Sequence, residues 1–241
     1  MSGHSKWSKI KRKKGETDAK RSKIFSKIIK EITVAVNEDG SDADSNPRLR
    51  LAIANAKGAN MPKDNVLRAI NKAGKESGNY QEVTYEGYAP NGVGIFIECT
   101  TDNTQRTISN IRSYFNKHNG NLVPNGSLSF IFSRKGIFTI PKENIKELNE
   151  DDFVLEIIDA GAENVETEEQ TFTITTEMEN FGAMMKKLEI MDIEVENAQL
   201  QRISNTTVKL DKKLAIKVLK LIDIIEDDDD VQTVYHNLEL C

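Results

Sequence analysis

The first residues of the chain combine a cluster of cations with one aromatic side chain. They read MSGHSKWSKIKRKKGE, and Trp7 is the only tryptophan in the sequence. Cationic side chains neutralise phosphates and release counterions, while an indole stacks on a base or a ribose. This chemistry predicts a nucleic-acid-binding arm, and the combination favours single strands or structured RNA. The residues expected to bind are His4, Lys6, Trp7, Lys9, Lys11, Arg12, Lys13 and Lys14. A second interpretation stays open, in which Trp7 packs on the next domain and the lysines only raise solubility.

Charge is segregated along the chain. Residues 1–75 hold 18 Lys+Arg against 8 Asp+Glu, a net charge of +10, whereas the remainder holds 15 against 30, a net charge of −15. A polyanion is attracted to one end of such a molecule and repelled by the rest. We therefore expect nucleic acid, either DNA or ribosomal RNA, as the partner, with the ribosome as a further candidate. The sequence does not reveal an oligomeric state.

A first helix is predicted to follow the arm. Apolar residues recur at three- and four-residue steps from Ile24 to Val36, and Thr17 or Asp18 supplies a cap. This periodicity predicts a helix that buries one face and offers a cationic stripe on the other. The stripe consists of Lys20, Lys23, Lys27 and Lys30, while Arg21 lies near the apolar arc. All five are expected to contact nucleic acid, although a merely solvated face fits the same pattern.

Two shorter helices complete a predicted helical domain over residues 1–78. Asn46 is a cap with Pro47 at the first helical position, and this helix is expected to end at Gly58. Met61 and Pro62 open the third helix. Arg48 and Arg50 lie on the second helix and are added to the expected nucleic-acid contacts.

The rest of the sequence has the pattern expected of strands that alternate with helices. Strands are expected near residues 82–88, 93–101 and 127–133, with a helix from Thr104, its cap, to His118. Residues 136–204 parse as βαββαβ, the order of a ferredoxin-like unit, with the last strand at 193–200. The final strand, 231–238, would complete the sheet left open by 82–133. The predicted fold is α+β, with an N-terminal helical domain and two ferredoxin-like domains: residues 1–78, residues 79–134 plus 205–241, and residues 135–204 inserted between those two parts.

Two acidic features of the sequence, Glu226–Asp230 and Asp102, each allow a structural interpretation as well as a functional one. Glu226–Asp230 is a run of five acids at a helix C-terminus, where the helix dipole disfavours negative charge. A solvated turn, a divalent cation and contact with the basic N-terminal domain each fit. Asp102 is expected to pair with Arg106 and to cap the following helix.

The sequence matches none of the common catalytic, metal-binding or cofactor-binding motifs. Cys99 and Cys241 match no disulfide framework, zinc site or redox motif, and the three histidines are far apart. There is no HExxH or GxSxG motif, and Gly74-Lys75 lacks the rest of a phosphate-binding loop. We expect no enzyme, metal or cofactor, with a metal-dependent hydrolase using unseen carboxylates as a third alternative. Neither an export signal nor a membrane span is present in the sequence, so the cytoplasm is the expected location.

Many short blocks, in order along the chain, resemble the YebC family, also called the PmpR or probable transcriptional regulatory protein family. They are Gly3–Trp7, Asp18–Arg21, Lys23–Phe25, Asn46–Arg50, Asn60–Asp64, Tyr85–Tyr88, Thr101–Asn103, Arg106–Thr107, Arg134–Gly136, Glu226–Val231 and Val234–Asn237. The resemblance covers essentially the whole length and implies three domains, with the third inserted in the second. Ser2, in place of the usual alanine, and Val123–Asn125, in place of a smaller Gly/Thr-rich loop, depart from the family pattern.

The resemblance implies two functions that the residues do not separate. Family members are described as DNA-binding transcriptional regulators and also, with a mitochondrial relative, as ribosome-associated factors that help difficult peptide synthesis. Duplex readout needs an element that enters a groove, and no helix here is an evident recognition helix. A flexible cationic arm with an aromatic favours RNA. The start at Met1, with no extension before Gly3, is expected of a bacterial, cytosolic member.

Overall fold

The computed structural model describes residues 18–75, 80–145 and 148–240. It is an α+β protein with helices at the N-terminal side and antiparallel sheets beyond them. The chain forms two compact units. The first takes its described residues from Met1–Lys30, Ser77–Ser133 and Ile203–Cys241, and the second from Glu31–Glu76 and Arg134–Arg202. The three predicted domains do not coincide with these units, and their boundaries stay a prediction.

The first unit contains a four-stranded antiparallel sheet. Its helices and strands are α1 (Asp18–Asp39, as far as Lys30), β1 (Gln81–Tyr88), β2 (Gly94–Thr101), α4 (Thr104–Lys117), β3 (Asn121–Val123), β8 (Val208–Leu210), α7 (Lys212–Asp227), β9 (Val231–His236) and β10 (Leu238–Leu240). The strand order is β3-β1-β2-β9, and β8 pairs with β10 in a small parallel sheet. Strand β9, near the C-terminal end of the chain, pairs with β2 and completes the sheet, as expected from the sequence.

Alternation along β2 divides the apolar residues between the two faces of this sheet. Ile95 and Ile97 pack on one face against Phe115 of α4 and Ile222 of α7. Phe96 packs on the other face with Leu128, Ile131, Phe132 and Tyr235. The two helices are amphipathic, so covering this face buries their apolar stripes and leaves their polar sides exposed.

A buried carboxylate holds the loop that covers the second face. Glu86, on β1, is 3% exposed. Its Oε1 accepts the backbone N–H of Gly126 at 2.7 Å, and its Oε2 accepts that of Leu128 at 2.6 Å. Two charge-assisted hydrogen bonds to backbone donors stabilise a loop that has no strand partner. A strand was expected over 127–133, but the chain forms turns as far as Ile131 and β4 begins only at Phe132.

The second unit combines helices with the other large sheet. It contains the remainder of α1 from Glu31, α2 (Pro47–Gly58), α3 (Lys63–Ala73), β4 (Phe132–Pro141, from Arg134), α5 (Glu150–Asp159), β5 (Ala162–Thr167), β6 (Thr171–Glu177), α6 (Phe181–Ile190) and β7 (Asn197–Ser204, as far as Arg202). The strand order β7-β4-β6-β5 is the ferredoxin-like order expected from βαββαβ. Its core includes Phe138, Phe153, Phe172 and Met184.

The helices of the second unit begin and end where local chemistry dictates. Asn46 caps α2, with its Oδ1 accepting the N–H of Leu49 at 2.9 Å, and its amide donates to the carbonyls of Ala35 and Gly40. Pro47 follows at the first helical position, where a missing N–H costs nothing. The helix ends at Gly58. Cap, proline and end were all predicted from the sequence.

Two further predictions of local structure were wrong. α4 is capped by Asn103, whose Oδ1 accepts the N–H of Arg106 at 3.0 Å, and not by Asp102 or Thr104. The last strand of the second sheet was expected at 193–200 but begins at Asn197. Ile193 instead closes α6, because its N–H bonds to the carbonyl of Leu188 while Asp192 adopts a left-handed φ of 54°.

In the described part of the chain, no helix is both long and apolar enough to cross a membrane.

Candidate nucleic-acid interface

The arm residues predicted to bind nucleic acid lie outside the described residues. These are His4, Lys6, Trp7, Lys9, Lys11, Arg12, Lys13 and Lys14. Lys20 is within α1, but its side chain also lies outside the description. Their role in binding stays a prediction.

The lysine stripe on α1 is a packing surface. Lys27 Nζ donates to the carbonyl of Gln232 at 2.8 Å. Lys30 Nζ donates to the carbonyls of Asp229 at 2.6 Å and Thr100 at 3.1 Å, and its side chain is only 16% exposed. The prediction that this face of the helix is presented to solvent was wrong for these lysines, because their ammonium groups complete hydrogen bonds at the ends of β2 and β9. Whether they also meet phosphate stays a prediction.

Lys23 and Arg21 lie closer to the start of the helix and are more exposed. Lys23 Nζ pairs with Asp227 Oδ1 at 3.0 Å, and the side chain of Asp227 is 82% exposed. Such a pair in water contributes little to stability. The guanidinium of Arg21 lies over the ring of Phe25, 5.4 Å from its centroid, which matches the expected position near the apolar arc.

Lysines of α1 contact the acidic run Glu226–Asp230 at the C-terminal end of α7, which was one of the three interpretations left open. Asp230 is its most buried member, with a side chain 7% exposed. Arg106 donates to both of its carboxylate oxygens, at 2.9 and 2.8 Å, and Thr107 Oγ1 donates to Oδ2 at 2.9 Å. Lys30 lies 3.5 Å away. Burial acts to raise the pKa of Asp230, but the hydrogen bonds from Arg106 and Thr107 and the charge of Lys30 outweigh it and hold that pKa below its ordinary value.

Asp228 is bound by groups from α4. Tyr114 Oη donates to its Oδ2 at 2.9 Å and Asn110 Nδ2 at 3.1 Å. Its Oδ1 accepts the N–H of Asp230 at 2.9 Å, which is a local turn contact. Burial, together with the hydrogen bond and the negative charge of Asp228, raises the pKa of Tyr114 to about 12. The turn between α7 and β9 is thus held by contacts with α1 and α4.

An open groove of about 530 Å³ follows this turn. Its lining residues are Arg106, Asn110, Tyr114, Asp227, Asp228, Asp229 and Asp230. The four carboxylates of the groove repel a phosphate backbone, and its one guanidinium is already shared between Asp230 and Asp102. The pairing of Asp102 with Arg106, at 2.8 Å, was predicted. Within the described residues, no group of three His, Cys, Asp or Glu side chains is arranged to hold a metal ion.

Arg48 and Arg50, on α2 of the second unit, make local contacts. Arg48 Nε donates to Glu31 at 2.9 Å and its Nη1 to Glu38 at 2.8 Å. Arg50 is exposed and donates to the carbonyls of Ala43 and Asp44. Arg48 thus has carboxylate neighbours that a phosphate would have to displace, whereas the acceptors of Arg50 among the described residues are backbone carbonyls.

Cys99 is a buried thiol on β2, 2% exposed. Burial, and then the negative charges of Asp228 and Asp230, raise its pKa to about 12. The thiol therefore stays protonated at neutral pH and lacks the thiolate that nucleophilic chemistry needs.

Sequence reasoning missed two features of the first unit. The ion pair between Arg106 and Asp230 joins residues 124 positions apart, and no local sequence pattern indicates it. A cationic face on α7, formed by Lys212, Lys213, Lys217 and Lys220, was also missed, although the helical periodicity applied to α1 would have found it.

Comparison with known proteins matches almost the whole chain to one family. A family model described as the TACO1/YebC protein N-terminal domain matches residues 5–76. A second, described as the TACO1/YebC second and third domain, matches residues 80–238. Each match follows the order of the resembling blocks in the sequence.

Individual relatives agree with the family models. A protein of Amoebophilus asiaticus, named probable transcriptional regulatory protein, is 49% identical over 99% of this chain and 98% of its own. One of the same name from Geobacillus is 48% identical, with coverage of 99% and 98%. The crystal structure of a conserved hypothetical protein from Aquifex aeolicus is similar with a TM-score of 0.82 and 42% identity, over 95% of this chain and 94% of that one.

Proposed function

Because the chain belongs to the TACO1/YebC family, we propose that it is a nucleic-acid-binding regulator of gene expression, acting as a DNA-binding transcriptional regulator. Its relatives carry the name of probable transcriptional regulatory proteins. The segregation of charge, +10 in residues 1–75 and −15 beyond, supports a polyanionic partner at the N-terminal end.

We assign phosphate binding to the arm because the α1 lysines already have acceptors within the protein. Lys27 and Lys30 donate to backbone carbonyls, and Lys23 pairs with a carboxylate. A phosphate would have to replace those acceptors at the expense of the fold. The cations that precede α1 are therefore the better candidates, and we propose that they contact phosphate while Trp7 stacks on a base or sugar.

The test compares the salt dependence of binding in an arm variant that lacks four cations and in a control variant that lacks three cations elsewhere. Lys11→Gln, Arg12→Gln, Lys13→Gln and Lys14→Gln are combined in an arm variant. A control variant carries Lys63→Gln, Lys117→Gln and Lys186→Gln, three exposed lysines on α3, α4 and α6. Affinity for mixed-sequence duplex DNA and for an RNA stem–loop is measured at several salt concentrations.

Each lost phosphate contact lowers the slope of log affinity against log salt by about 0.7 to 0.9. We expect the slope of the arm variant to fall by about 3 and that of the control variant to stay unchanged. An arm variant with the slope of the intact protein would remove the arm from the proposal.

A translation factor that binds the ribosome is the alternative function. The pairing of one aromatic with a cationic arm favours it, whereas the names of the relatives do not. Crosslinking in cells followed by sequencing separates the two. Promoter DNA among the recovered molecules supports transcription, and ribosomal RNA would replace that function with a translational one.

We further propose that the protein is not an enzyme and that it acts in the cytoplasm. The regulatory names of its relatives support the first statement. The third alternative, a metal-dependent hydrolase, predicts cleavage of DNA or RNA when magnesium or manganese is added. Cleavage that tracks the purified protein would overturn the non-enzymatic assignment.

A further inference from the structure

A face of α7 presents four lysines to solvent. Lys212, Lys213, Lys217 and Lys220 are all exposed. The opposite face packs in the core of the first unit through Ala215, Val218, Leu221, Ile222 and Ile225. Because burial of the apolar face fixes the rotation of the helix, the lysines cannot turn toward the protein.

Acidic residues flank these lysines on the helix, at Asp211 and Asp223, but none lies among them. The stretch KKLAIKVLKLI, from Lys212 to Ile222, contains no Asp or Glu. Across the described part of the chain, none of the four side chains forms an ion pair or a side-chain hydrogen bond. Three other lysines beyond residue 75 differ, since Lys135, Lys142 and Lys187 each pair with a glutamate. Lys117 and Lys186 are exposed like the four, but each lies on a different helix. Four of the 15 cations in this otherwise acidic region therefore share one solvent-facing surface.

The arrangement is unfavourable for the helix itself. Lys212 and Lys213 occupy the first turn, where the helix dipole is positive and acids are preferred. Lys213 and Lys217 are four residues apart, and Lys217 and Lys220 three, so like charges repel along the face. Asp211 caps the helix, but its Oδ1 is occupied by the N–H groups of Lys213 and Leu214. Helix stability therefore does not account for this face, whereas attraction of an external anion does.

We propose that this surface, the α7 lysine face, is a second phosphate-contacting surface that binds the nucleic-acid backbone independently of base sequence. The inference rests on the proposed function, because it assigns the same class of partner to a further surface. At 1.5 Å per residue, Lys213 to Lys220 span about 10 Å. One strand of a duplex presents about three phosphates over that distance.

An anionic lipid surface is the competing occupant. Ile216 is 44% exposed and Ile224 37% exposed on the same side of the helix, and an amphipathic basic helix with apolar residues binds membranes as well. Asp223 and Asp227 follow the lysines toward the end of the helix and would oppose insertion at that end. Nucleic acid is favoured, since four lysines outnumber the two isoleucines and the family relatives bear regulatory names.

The test uses the full chain and three variants. Lys213→Gln, Lys217→Gln and Lys220→Gln are combined in a face variant, and arginine replaces the same lysines in a charge-retaining variant. The control variant defined above removes three positive charges elsewhere. Circular dichroism and thermal unfolding establish that each variant is folded. Salt slopes are measured with duplex DNA and with the RNA stem–loop, and binding to phosphatidylserine vesicles is measured in parallel.

We expect the slope of the face variant to fall by about 2 to 3, with the control and charge-retaining variants unchanged. A face variant with the slope of the intact protein, alongside an arm variant with a lowered slope, would overturn this inference and leave the proposed function standing. Failure of the intact protein to bind either nucleic acid would overturn both. Vesicle binding that depends on the face, with unchanged nucleic-acid slopes, would overturn the inference in favour of a membrane surface.

Discussion

Arg106 binds both carboxylate oxygens of Asp230, with Nη2 2.9 and 2.8 Å from Oδ1 and Oδ2 and Nε 3.2 Å from Oδ2. The guanidinium lies on α4, and the carboxylate belongs to the residue just before β9. Lys30 of α1 approaches the same carboxylate at 3.5 Å. One buried anion therefore links α4, the beginning of β9 and the basic helix α1. Positive charge that could attract phosphate is used to hold the fold.

Replacing Asp230 by asparagine should lower the free energy of unfolding by about 1–3 kcal/mol, the cost of leaving buried donors poorly satisfied. Arg106, Thr107 and Lys30 would lose a charged acceptor. Urea denaturation measures the change. Asp229→Asn is the matched control, because the side chain of Asp229 is exposed, and it should change stability by less than about 0.5 kcal/mol. Equal effects of the two substitutions would contradict the central position given to Asp230.

The same carboxylate should make stability depend on pH at the acidic end. The pKa of Asp230 is held below its ordinary value of 3.8. Its folded form binds the proton less readily than its unfolded form, so its contribution is present above pH 3.8 and is lost as pH falls through the lowered pKa. Denaturation curves of the intact protein and of Asp230→Asn should converge as the pH is lowered below 3.8. If the difference in unfolding free energy between the two proteins stayed constant over the whole pH range, the charge of Asp230 would not be the source of its stabilising effect.

Lys30 should act as a structural tie and not as a phosphate contact. Lys30→Met keeps the aliphatic stem but removes the hydrogen bonds to Thr100 and Asp229, and we expect a loss of about 1–3 kcal/mol in unfolding free energy. Lys23→Gln, which removes an exposed ion pair, should cost less than about 1 kcal/mol. Salt titration of nucleic-acid binding supplies the second readout. An unchanged slope is expected, while a fall of about 0.7 to 0.9 would return Lys30 to the binding surface.

Local signals predicted much of the fold because they act over a few residues. Asn46 and Pro47 define the start of α2 through a cap and a fixed φ, and the structure has both. The βαββαβ order of the second sheet followed from alternation and helix length. The loop that covers the first sheet was mistaken for a strand, because Leu128, Phe130 and Phe132 alternate in sequence. Phe130 is in fact 68% exposed, and Glu86, far away in the chain, holds the turns through backbone N–H groups.

The candidate site was less accessible to sequence reasoning, for a related physical reason. Periodicity placed Lys23, Lys27 and Lys30 on one side of α1, and the structure places them there. The acceptors of Lys27 and Lys30 are mainly backbone carbonyls, of Gln232, Thr100 and Asp229. Every residue has a carbonyl, so such an acceptor leaves no signature in residue type. Only the topology, which brings the end of β2 beside the beginning of β9, shows that these lysines have acceptors within the protein.

Gly58 should be the least replaceable glycine of the helical region, because α2 ends against the backbone that leads into β7. A Cβ built on Gly58 would lie 1.7 Å from the carbonyl oxygen of Glu196, which no real contact permits. Nearby, Asn55 bonds both the N–H and the carbonyl of Ala198, each at 3.0 Å, so the helix cannot retreat without losing a paired amide. Gly58→Ala is expected to lower the unfolding free energy by more than about 2 kcal/mol, combining overpacking with broken hydrogen bonds.

Gly74, just past the end of α3, provides the control for that substitution. A Cβ there would meet only the carbonyl oxygen of Ile70 at 3.5 Å, an ordinary contact, and its φ of −69° suits any residue. Gly74→Ala should therefore be neutral or stabilising by up to about 1 kcal/mol, since alanine restricts the unfolded chain. Thermal and urea unfolding of both variants decide the matter. If Gly58→Ala unfolded at the same denaturant concentration as Gly74→Ala, the close approach of α2 to Glu196 would not exist in solution, and the attachment of this helix to the second sheet would have to be withdrawn.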